Sequence, residues 1–493
     1  MNAISLFAVL TCAAFALFIQ PSAATPGDLD LTFGGTGKVT TAIGNGDDIG
    51  YGVAVQSDGK IVVAGHSFNG SNNDFAITRY NTDGTLDVGF GTGGKVITAF
   101  DNANSEAIGV TVQNDGKIVA AGYSDIGGSR DFALVRYQQD GSLDTTFNST
   151  GNVTTDFGAN ETINGIALQT DGKIVTVGYS YTGSTLLFAV ARYHPNGNLD
   201  TTFNETGKVT TVLGTNNDVA QSVVVQNDGR IVVAGNSSTL SNTPVRYALV
   251  RYNADGSLDT TFNGTGKVIT IIRTDHDVGR SVALQSNGKI VVAGESWVGS
   301  DKEFGLARYN TNGSLDTSFN GTGKVTTSIG TGDVYVSSMA LQANGKIVVA
   351  GTSDSPNGGF ALMRFNPEGS VDTGFNGTGK VITNIGNGCG SVSMTLQNDG
   401  KIVAAGYASN GSNYDFAVIR FLGDEILDGE SSIRIAAEYR FTTANGISYR
   451  IEASTDFTHW STIETNILGT GSVLTRFYSI EGQPRRFFRS RRN

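Results

Sequence analysis

The chain has 493 residues, 66 of them glycine and only 7 proline, and a formal net charge of −11 at pH 7. This negative charge disfavours a nucleic-acid partner, because phosphates require a basic surface. With 39% hydrophobic residues and no Gly-x-y period, the chain is neither disordered nor collagen-like, and it favours many short strands joined by tight turns.

The amino-terminal residues 1–24 have the pattern of a secretory signal peptide and predict a secreted or cell-surface protein. Residues 6–19 are almost entirely apolar, and small residues at 22–24 fit a cleavage site. The apolar stretch is too short to span a bilayer, so we expect no membrane span after signal removal. Cys389 is then the one cysteine left, which excludes an intrachain disulfide and a cysteine metal cluster.

A hairpin sequence occurs seven times, at intervals of 55 to 59 residues. Each copy has a short apolar alternation, a Gln, an Asp-Gly or Asn-Gly turn and a second apolar run. These dipeptides favour a two-residue hairpin turn, because both central residues need positive φ. The turn glycines are Gly59, Gly116, Gly172, Gly229, Gly288, Gly345 and Gly400.

Two further signatures alternate with the hairpin and complete a four-stranded unit. One is a period-two strand, and the other is Leu-Asp-x-x-Phe followed by Gly-Thr-Gly-Lys-Val. A single small sheet is marginal alone, whereas repetition around an axis buries its faces. We therefore predict an all-β fold, a seven-bladed β-propeller over residues 27–421, with a linear β-solenoid as the alternative. The strands of the first unit are A (Gly52–Gln56), B (Lys60–Gly65), C (Phe75–Tyr80) and D (Lys95–Ala99).

The repeats are offset at the two ends of the array. The chain starts with a D strand and ends the repeats with a C strand, so the last sheet lacks an outer strand. We predict that Lys38–Ala42 forms the outer strand of the blade that contains Gln397 and Arg420. The alternative is that residues 433–440 supply this strand.

All seven copies carry Leu-Asp-x-x-Phe, Gly-Thr-Gly-Lys-Val and Gln-x-Asp-Gly-Lys-Ile-Val with small variations. Through these motifs, residues 27–421 resemble the delta-60 repeat family of bacterial secreted proteins. The resemblance implies a propeller-like fold and a secreted or surface location, but no particular activity.

The carboxy-terminal part of the chain departs from the repeat. Residues 422–432 are predicted to form a linker. Residues 433–493 resemble small C-terminal β-sandwich modules of bacterial secreted proteins, through residues 449–456, Trp460 and the ending 486–489. Such a module implies a spacer or a surface-retention element.

Seven arginines end the C strands, and seven aspartates lie in the D signature. A residue that occurs once in every blade indicates blade structure rather than a site, so we predict Arg–Asp pairs that fix strand C to the following turn. Ring closure would then bring Arg420 to Asp30. The arginines are Arg79, Arg136, Arg192, Arg251, Arg308, Arg364 and Arg420, and the aspartates are Asp30, Asp87, Asp144, Asp200, Asp259, Asp316 and Asp372.

Six carboxylates lie seven to nine residues before the motif Gln, in the connection from strand D to strand A. In a propeller this connection opens on one face around the channel, so these residues predict an acidic rim that binds a cation or a basic ligand. The alternative is that each carboxylate caps backbone N–H groups at the start of strand A. The six are Asp48, Glu106, Glu161, Asp218, Asp277 and Asp333.

Loops that differ from the repeat predict a second binding surface on the same face, with drift without function as the alternative. Arg273, His276 and Trp297 belong to one repeat, and Tyr181 belongs to another. The four histidines fall at different places in the pattern and indicate neither a metal triad nor a Ser-His-Asp set. We therefore predict no catalytic residue, no metal and no cofactor.

These observations together predict a non-catalytic binding or scaffold protein, monomeric, with a protein or polysaccharide ligand on the loop side. The alternative is a carbohydrate-active enzyme, a lyase or hydrolase that uses carboxylates of the rim. Two carboxylates about 5 to 10 Å apart beside exposed aromatic residues would favour glycan hydrolysis. A redox propeller with a quinone cofactor ranks last, since no cofactor-clamping Trp or Cys pair recurs.

Overall fold

The computed structural model describes most of the repeat region and parts of the carboxy-terminal region. The predicted signal peptide up to residue 23, most of the predicted linker and Trp460 lie outside the described residues. Within the described part, no helix has the length and apolarity needed to cross a membrane. The described residues are 24–214, 217–238, 244–330, 332–354, 358–386, 388–424, 436–442, 445–454, 461–468, 470, 472–479 and 487–492.

The described residues form an all-β structure in which each repeat gives one four-stranded antiparallel sheet. The strands are β1 (Lys38–Thr41), β2 (Asp48–Val55), β3 (Ile61–Phe68), β4 (Asn73–Tyr80), β5 (Lys95–Thr98), β6 (Ser105–Val112), β7 (Ile118–Ile126), β8 (Ser129–Tyr137), β9 (Asn152–Thr155), β10 (Asn160–Leu168), β11 (Ile174–Tyr181), β12 (Leu186–Tyr193), β13 (Lys208–Thr211), β14 (Asp218–Val225), β15 (Ile231–Ser237), β16 (Arg246–Tyr252), β17 (Lys267–Thr270), β18 (Asp277–Leu284), β19 (Ile290–Val298), β20 (Asp301–Tyr309), β21 (Lys324–Thr327), β22 (Val334–Leu341), β23 (Ile347–Ser353), β24 (Gly359–Phe365), β25 (Lys380–Thr383), β26 (Cys389–Leu396), β27 (Ile402–Ser409), β28 (Tyr414–Phe421), β29 (Ala436–Thr442), β30 (Ser448–Ser454), β31 (Ser461–Leu468), β32 (Val473–Ser479) and β33 (Phe487–Arg492).

Antiparallel pairing defines two ends of every blade. In the first blade Asp48 pairs with Ser67, and Ser67 pairs with Asp74, so the start of the inner strand and the start of the third strand lie at the same end. We call this end the loop face, because the connections between blades arrive there. The opposite end carries the tight turns, and we call it the turn face. In the turn at Gly59 the glycine has positive φ (83°) but Asp58 does not, and the Gly59 amide donates to the Gln56 carbonyl at 2.9 Å, so the prediction of a two-residue turn with two positive-φ residues is wrong.

The first strand of the array closes the ring, as predicted. Strand β1 pairs antiparallel with β28, with Val39 opposite Val418, and the last sheet has the order β1-β28-β27-β26. The alternative donor, residues 433–440, is wrong, because β29 pairs with β32 instead. The prediction of a seven-bladed β-propeller closed by an amino-terminal strand is therefore confirmed.

The core lies between the blades and consists of apolar clusters shared by neighbouring sheets. At the closing seam, Phe33 and Val63 pack with Val403, Phe416 and Val418, and all five side chains are fully buried. Each sheet thus buries both of its faces against its neighbours. This arrangement explains why a sheet that would be marginal alone is stable in the ring.

All seven predicted Arg–Asp pairs form on the turn face, with Nε to Oδ2 distances of 2.6 to 2.8 Å. Arg192, for example, also donates from Nη1 to the carbonyl of Ala254 in the next blade at 2.5 Å. Its guanidinium carbon lies 4.7 Å from the centre of the Phe203 ring. We call this arrangement a clamp, since each one ties a blade to the next.

Two clamps lie at special positions of the ring. Arg420 donates to Asp30 at 2.8 Å and to the Thr82 carbonyl at 2.5 Å, so one clamp crosses the closing seam. Arg364 has no following repeat turn to bind, and it donates instead to Oδ1 of Asp424 at 2.9 Å. The clamp is therefore kept where the sequence motif ends.

Residues 425–493 form a separate compact unit. Its described strands make a two-stranded sheet, β29-β32, and a three-stranded sheet, β31-β30-β33. The predicted resemblance to a β-sandwich module stays a prediction.

Candidate functional site

A β-bulge interrupts every inner strand of the propeller and turns one side chain into the central channel. In β2 the register shifts between Gly50 and Gly52, and Tyr51 is the extra residue. Bulges commonly re-aim a side chain in this way. The seven bulged residues all line one cavity of about 340 Å³. They are Tyr51, Ile108, Asn164, Gln221, Arg280, Ser337 and Val392.

The sequence prediction missed these channel residues, although the sequence contains a signal for them. Each one lies five positions before the motif Gln, and the seven copies carry seven different residues there. The next position is always Gly or Ser. A Cβ on Gly52 would lie only 3.0 Å from Gly109 of the neighbouring blade, so this position must stay small. A position that differs in every copy beside a constrained one indicates ligand specificity on a fixed scaffold.

Arg280 is the cationic residue of the channel lining. Its Nε and Nη2 atoms each lie 3.4 Å from a carboxylate oxygen of Glu295. Glu295 is buried and accepts a hydrogen bond from the Val336 amide of the next blade at 3.0 Å. Burial raises the pKa of the Glu295 carboxyl, and the charge of Arg280 partly offsets this effect. The guanidinium is thus held in place with its charge partly compensated.

Glu106, a predicted rim residue, belongs to a polar cluster beside the channel. Its Oε1 accepts a hydrogen bond from Asn73 at 2.9 Å, and its Oε2 lies 3.6 Å from Nδ1 of His66. Burial raises the pKa of Tyr51 and of Tyr123, and the charge of Glu106 adds to both shifts. Burial lowers the pKa of His66, against the charge of Glu106. The cluster therefore combines a carboxylate, an imidazole and two phenols.

Four other predicted rim carboxylates are fully buried and bind their own connection. Asp218 shows the pattern: Oδ2 accepts from the Leu213 amide at 2.6 Å, and Oδ1 accepts from Ser237 at 2.5 Å. Asp48 and Asp277 make the same backbone contacts, and Glu161 accepts from the Ala159 amide at 3.0 Å. These contacts are those of the capping alternative.

The sixth predicted carboxylate, Asp333, is less buried, with a side chain that is 23% exposed. It accepts a hydrogen bond from the Lys302 amide at 3.0 Å. Of the six, Glu106 thus lies in the polar cluster beside Tyr51 of the channel lining. Ligand binding by the predicted acidic rim stays a prediction.

Three of the four predicted loop residues come together on the loop face. The His276 and Trp297 rings lie 5.1 Å apart, and Arg273 contacts Glu303 at 3.0 Å. Nζ of Lys302 lies 4.9 Å from the Trp297 ring centre and 3.8 Å from that of Tyr335.

Tyr181, the fourth predicted loop residue, lies two blades away. It is 37% exposed and lines a separate cavity with Tyr179, Asp125 and Arg130. The structure therefore offers two loop-face surfaces rather than one.

The fold and the channel define a seven-bladed β-propeller with a blade-specific lining of mixed polar and apolar side chains. Seven segments of the chain match the family described as Domain of unknown function (DUF5122) beta-propeller. These seven matches support a β-propeller repeat family for the repeat region, while the name delta-60 and the carboxy-terminal resemblance stay predictions. No curated protein matches the sequence. The matched segments are residues 56–90, 113–147, 169–203, 226–262, 285–319, 342–375 and 397–424.

Solved structures with a similar chain trace are also propellers, at very low sequence identity. Virginiamycin B lyase from Staphylococcus aureus is 11% identical, with a TM-score of 0.45 over 78% of this chain and 98% of that one. Polysaccharide lyase Uly1 is 12% identical, with a TM-score of 0.43 over 76% and 90%. Sqt1 of Chaetomium thermophilum, bound to the N-terminus of ribosomal protein L10, is 11% identical, with a TM-score of 0.43 over 78% and 100%. These likenesses concern the fold alone.

Proposed function

We propose that this protein is a secreted or cell-surface binding protein that receives a glycan at the loop-face mouth of its channel. The observation that supports this function is the set of seven different bulge side chains around one cavity. A purely structural ring would not need a different residue in every copy. The clamps of the same molecule, by contrast, repeat without change of residue type.

Five of the seven bulge side chains suit a sugar better than an apolar ligand, and the other two, Ile108 and Val392, are apolar. Asn164 and Gln221 offer amides, Ser337 a hydroxyl, Tyr51 an aromatic ring and Arg280 a guanidinium. Such groups can donate and accept hydrogen bonds with the hydroxyl groups of a carbohydrate. The cavity, about 340 Å³, is at the small end of ligand pockets. We infer that a chain end, rather than the middle of a polysaccharide, enters it.

The Glu106 cluster supports a second candidate, a carbohydrate-active enzyme of the lyase type. A neutral imidazole and a phenol beside a carboxylate are suitable groups for proton transfer. However, His66 is only 5% exposed, and the side chain of Glu106 is 16% exposed. Because a substrate has little access to these atoms, we rank binding first.

The decisive experiment is a glycan array probed with residues 25–493, followed by calorimetry on the glycans that are retained. We expect Gln221→Ala and Tyr51→Ala to weaken binding at least about tenfold, the loss of one or two good contacts. The control is Val88→Ala, a side chain that is 78% exposed on a different part of the chain. It should bind like the unmodified protein.

Three results would contradict the proposal in different ways. If the protein retained no glycan but selected peptides instead, the ligand would be a protein rather than a glycan. Release of unsaturated sugars, detected by ultraviolet absorbance, would favour the lyase. Glycan binding that is unchanged in both channel variants would move the site away from the channel.

A further inference from the structure

The seam between the second and third blades carries three carboxylates from three different strands or connections. Asp131 lies in β8, Asp156 directly follows β9, and Glu161 lies in β10. Each contributes one oxygen to a group in which all oxygens lie within 4.8 Å of one another. Two of the three residues, Asp131 and Asp156, were not predicted as site residues, and Glu161 was predicted only as part of the rim.

The three carboxylates have no cationic partner within the described part of the chain. Among the described residues, none of the three forms an ion pair, and the nearby Lys208 ammonium is bound by the Asp156 backbone carbonyl at 2.6 Å. Glu161 is fully buried, and its Oε2 has no hydrogen-bond partner in the described part of the chain. Burial raises the pKa of Asp131 and of Glu161, and the charge of Asp156 adds to both shifts.

The remaining hydrogen bonds of the cluster do not compensate its charge. Ser129 donates to Asp131 at 3.3 Å, and the Gly158 amide donates to Asp156 at 2.5 Å. Ser180 and the Ala159 amide both donate to Oε1 of Glu161, each at 3.0 Å. These donors are neutral, and each leaves the second oxygen of its carboxylate available. Three like charges at this separation repel one another unless a cation lies between them.

At the seam between the fourth and fifth blades, an arginine neutralises the carboxylate that is equivalent to Glu161. Arg246 occupies in β16 the position that Asp131 occupies in β8, and Asp277 occupies the position of Glu161. There Nη1 of Arg246 lies 3.3 Å from Oδ2 of Asp277. One seam thus has a cation supplied by the chain, whereas the other has a third carboxylate in its place.

We propose that Asp131, Asp156 and Glu161 bind a divalent cation, with calcium as the best-matched ion. Calcium takes oxygen ligands at about 2.4 Å, so two of its ligands are at most about 4.8 Å apart. The cluster contains no Cys or His, which argues against zinc. Asp156 is exposed, which leaves space for the water molecules that would complete the coordination.

The test is calorimetry and thermal unfolding of residues 25–493, freed of metal with EDTA and then titrated with CaCl2. We expect one binding event with a Kd of about 1 mM or tighter, as in extracellular calcium modules, and a higher melting temperature in calcium. Asp156→Asn and Asp131→Asn should each weaken calcium binding by about tenfold or more.

Two matched variants separate a cation site from a general charge effect. Asp131→Arg copies the Arg246 seam and should abolish the calcium response without lowering the melting temperature in EDTA. Asp74→Asn changes the same strand position in the first blade, where Asn69 and Asn72 already bind the carboxylate, and should keep the full response. No heat and no melting shift in the unmodified protein would overturn the proposal, as would full calcium affinity in Asp156→Asn.

Discussion

The two faces of the propeller follow opposite rules. On the turn face the same clamp is built seven times, with the same two residue types and nearly the same distances. On the loop face the corresponding positions differ between seams: Glu161 with two further carboxylates, Asp277 with an arginine, and Cys389, whose sulfur accepts the Ile385 amide at 3.3 Å. Repetition thus maintains the ring, and variation between copies is where function is expected.

The physical reason lies in how deeply each set of charges is buried. The side chains of Arg420 and Asp30 are each 4% exposed, so loss of Arg420 removes the closest cation from a buried carboxylate and leaves it with Lys401 at 3.4 Å. The Arg130–Asp125 pair on the loop face is 35% and 34% exposed, so water can replace either partner. The clamps therefore resist change, whereas an exposed loop-face pair such as Arg130–Asp125 tolerates it.

We expect acid to weaken the clamps of the turn face, and this is the largest effect on stability that we expect. Burial opposes the charged form of Asp144 and Asp200, but hydrogen bonds from Thr146 and Thr202 and the clamp arginines lower their pKa values from 3.8 to about 2. The pKa values of the other five clamp aspartates are lowered in the same direction. A carboxyl group whose pKa is lowered by folding stabilises the folded state at pH values above its pKa in the unfolded chain. This stabilisation is lost as the pH falls toward the pKa of the folded state, so the free energy of unfolding should fall between about pH 4 and pH 2.

Urea unfolding at a series of pH values measures this loss. Asp144→Asn should be less stable at neutral pH and should show a shallower loss in acid. Constant stability from pH 4 to pH 2 would contradict the role given to the clamps.

Removal of one clamp at the closing seam gives the next largest effect. Arg420→Ala should cost about 3 kcal/mol in the free energy of unfolding, because buried Asp30 loses its closest cation and keeps the 3.4 Å contact with Lys401. Arg130→Ala, which removes an exposed pair on the loop face, should cost about 1 kcal/mol or less. Equal costs for the two variants would remove the distinction between the faces.

A tyrosine–threonine hydrogen bond that five seams contain and two lack should have an effect of intermediate size on stability. Tyr193 donates its buried hydroxyl to Thr155 of the preceding blade at 2.9 Å, whereas Phe365 and Phe421 occupy the same position elsewhere. Tyr193→Phe should cost about 1 kcal/mol, because Thr155 loses its partner. Chemical denaturation would reveal the change, and a cost near zero would show that these seams are interchangeable.

The smallest effect is expected for a loop-face aromatic residue. Tyr181→Ser should change the free energy of unfolding by less than about 0.5 kcal/mol, as for most exposed positions. Its hydroxyl donates to the Gly183 carbonyl of the same loop, at 2.7 Å. A loss comparable to that of Arg420→Ala would place this loop among the elements that maintain the fold.

The parts of the molecule that repeat were predictable from the sequence. The hairpins follow from Asp-Gly and Asn-Gly turns, the closing strand follows from the offset of the two ends, and the Arg420–Asp30 pair follows from both. In each case the pattern recurs in seven copies, so it is unlike a chance match in a single segment.

The candidate sites were less predictable, because they depend on where a strand is irregular. A bulge shifts the register by one residue, and a simple alternation of inward and outward side chains cannot place Tyr51 or Arg280 in the channel. The group of Asp131, Asp156 and Glu161 joins residues of two blades, and its spacing in the sequence matches no metal motif. The predicted rim identified Glu161 and Glu106 but not their surroundings.

The pairing of β1 with β28 also constrains how the molecule is made. Strand β1 has its partner in the last repeat, so it must wait while the six complete blades between them are synthesised and form. During that interval its edge is free to pair with any other exposed strand, including that of a second chain. The final step is a contact between distant parts of the sequence, which is slow because the long intervening chain must first be ordered. Circular permutants that begin at β2 would remove this delay and should assemble faster than the natural order.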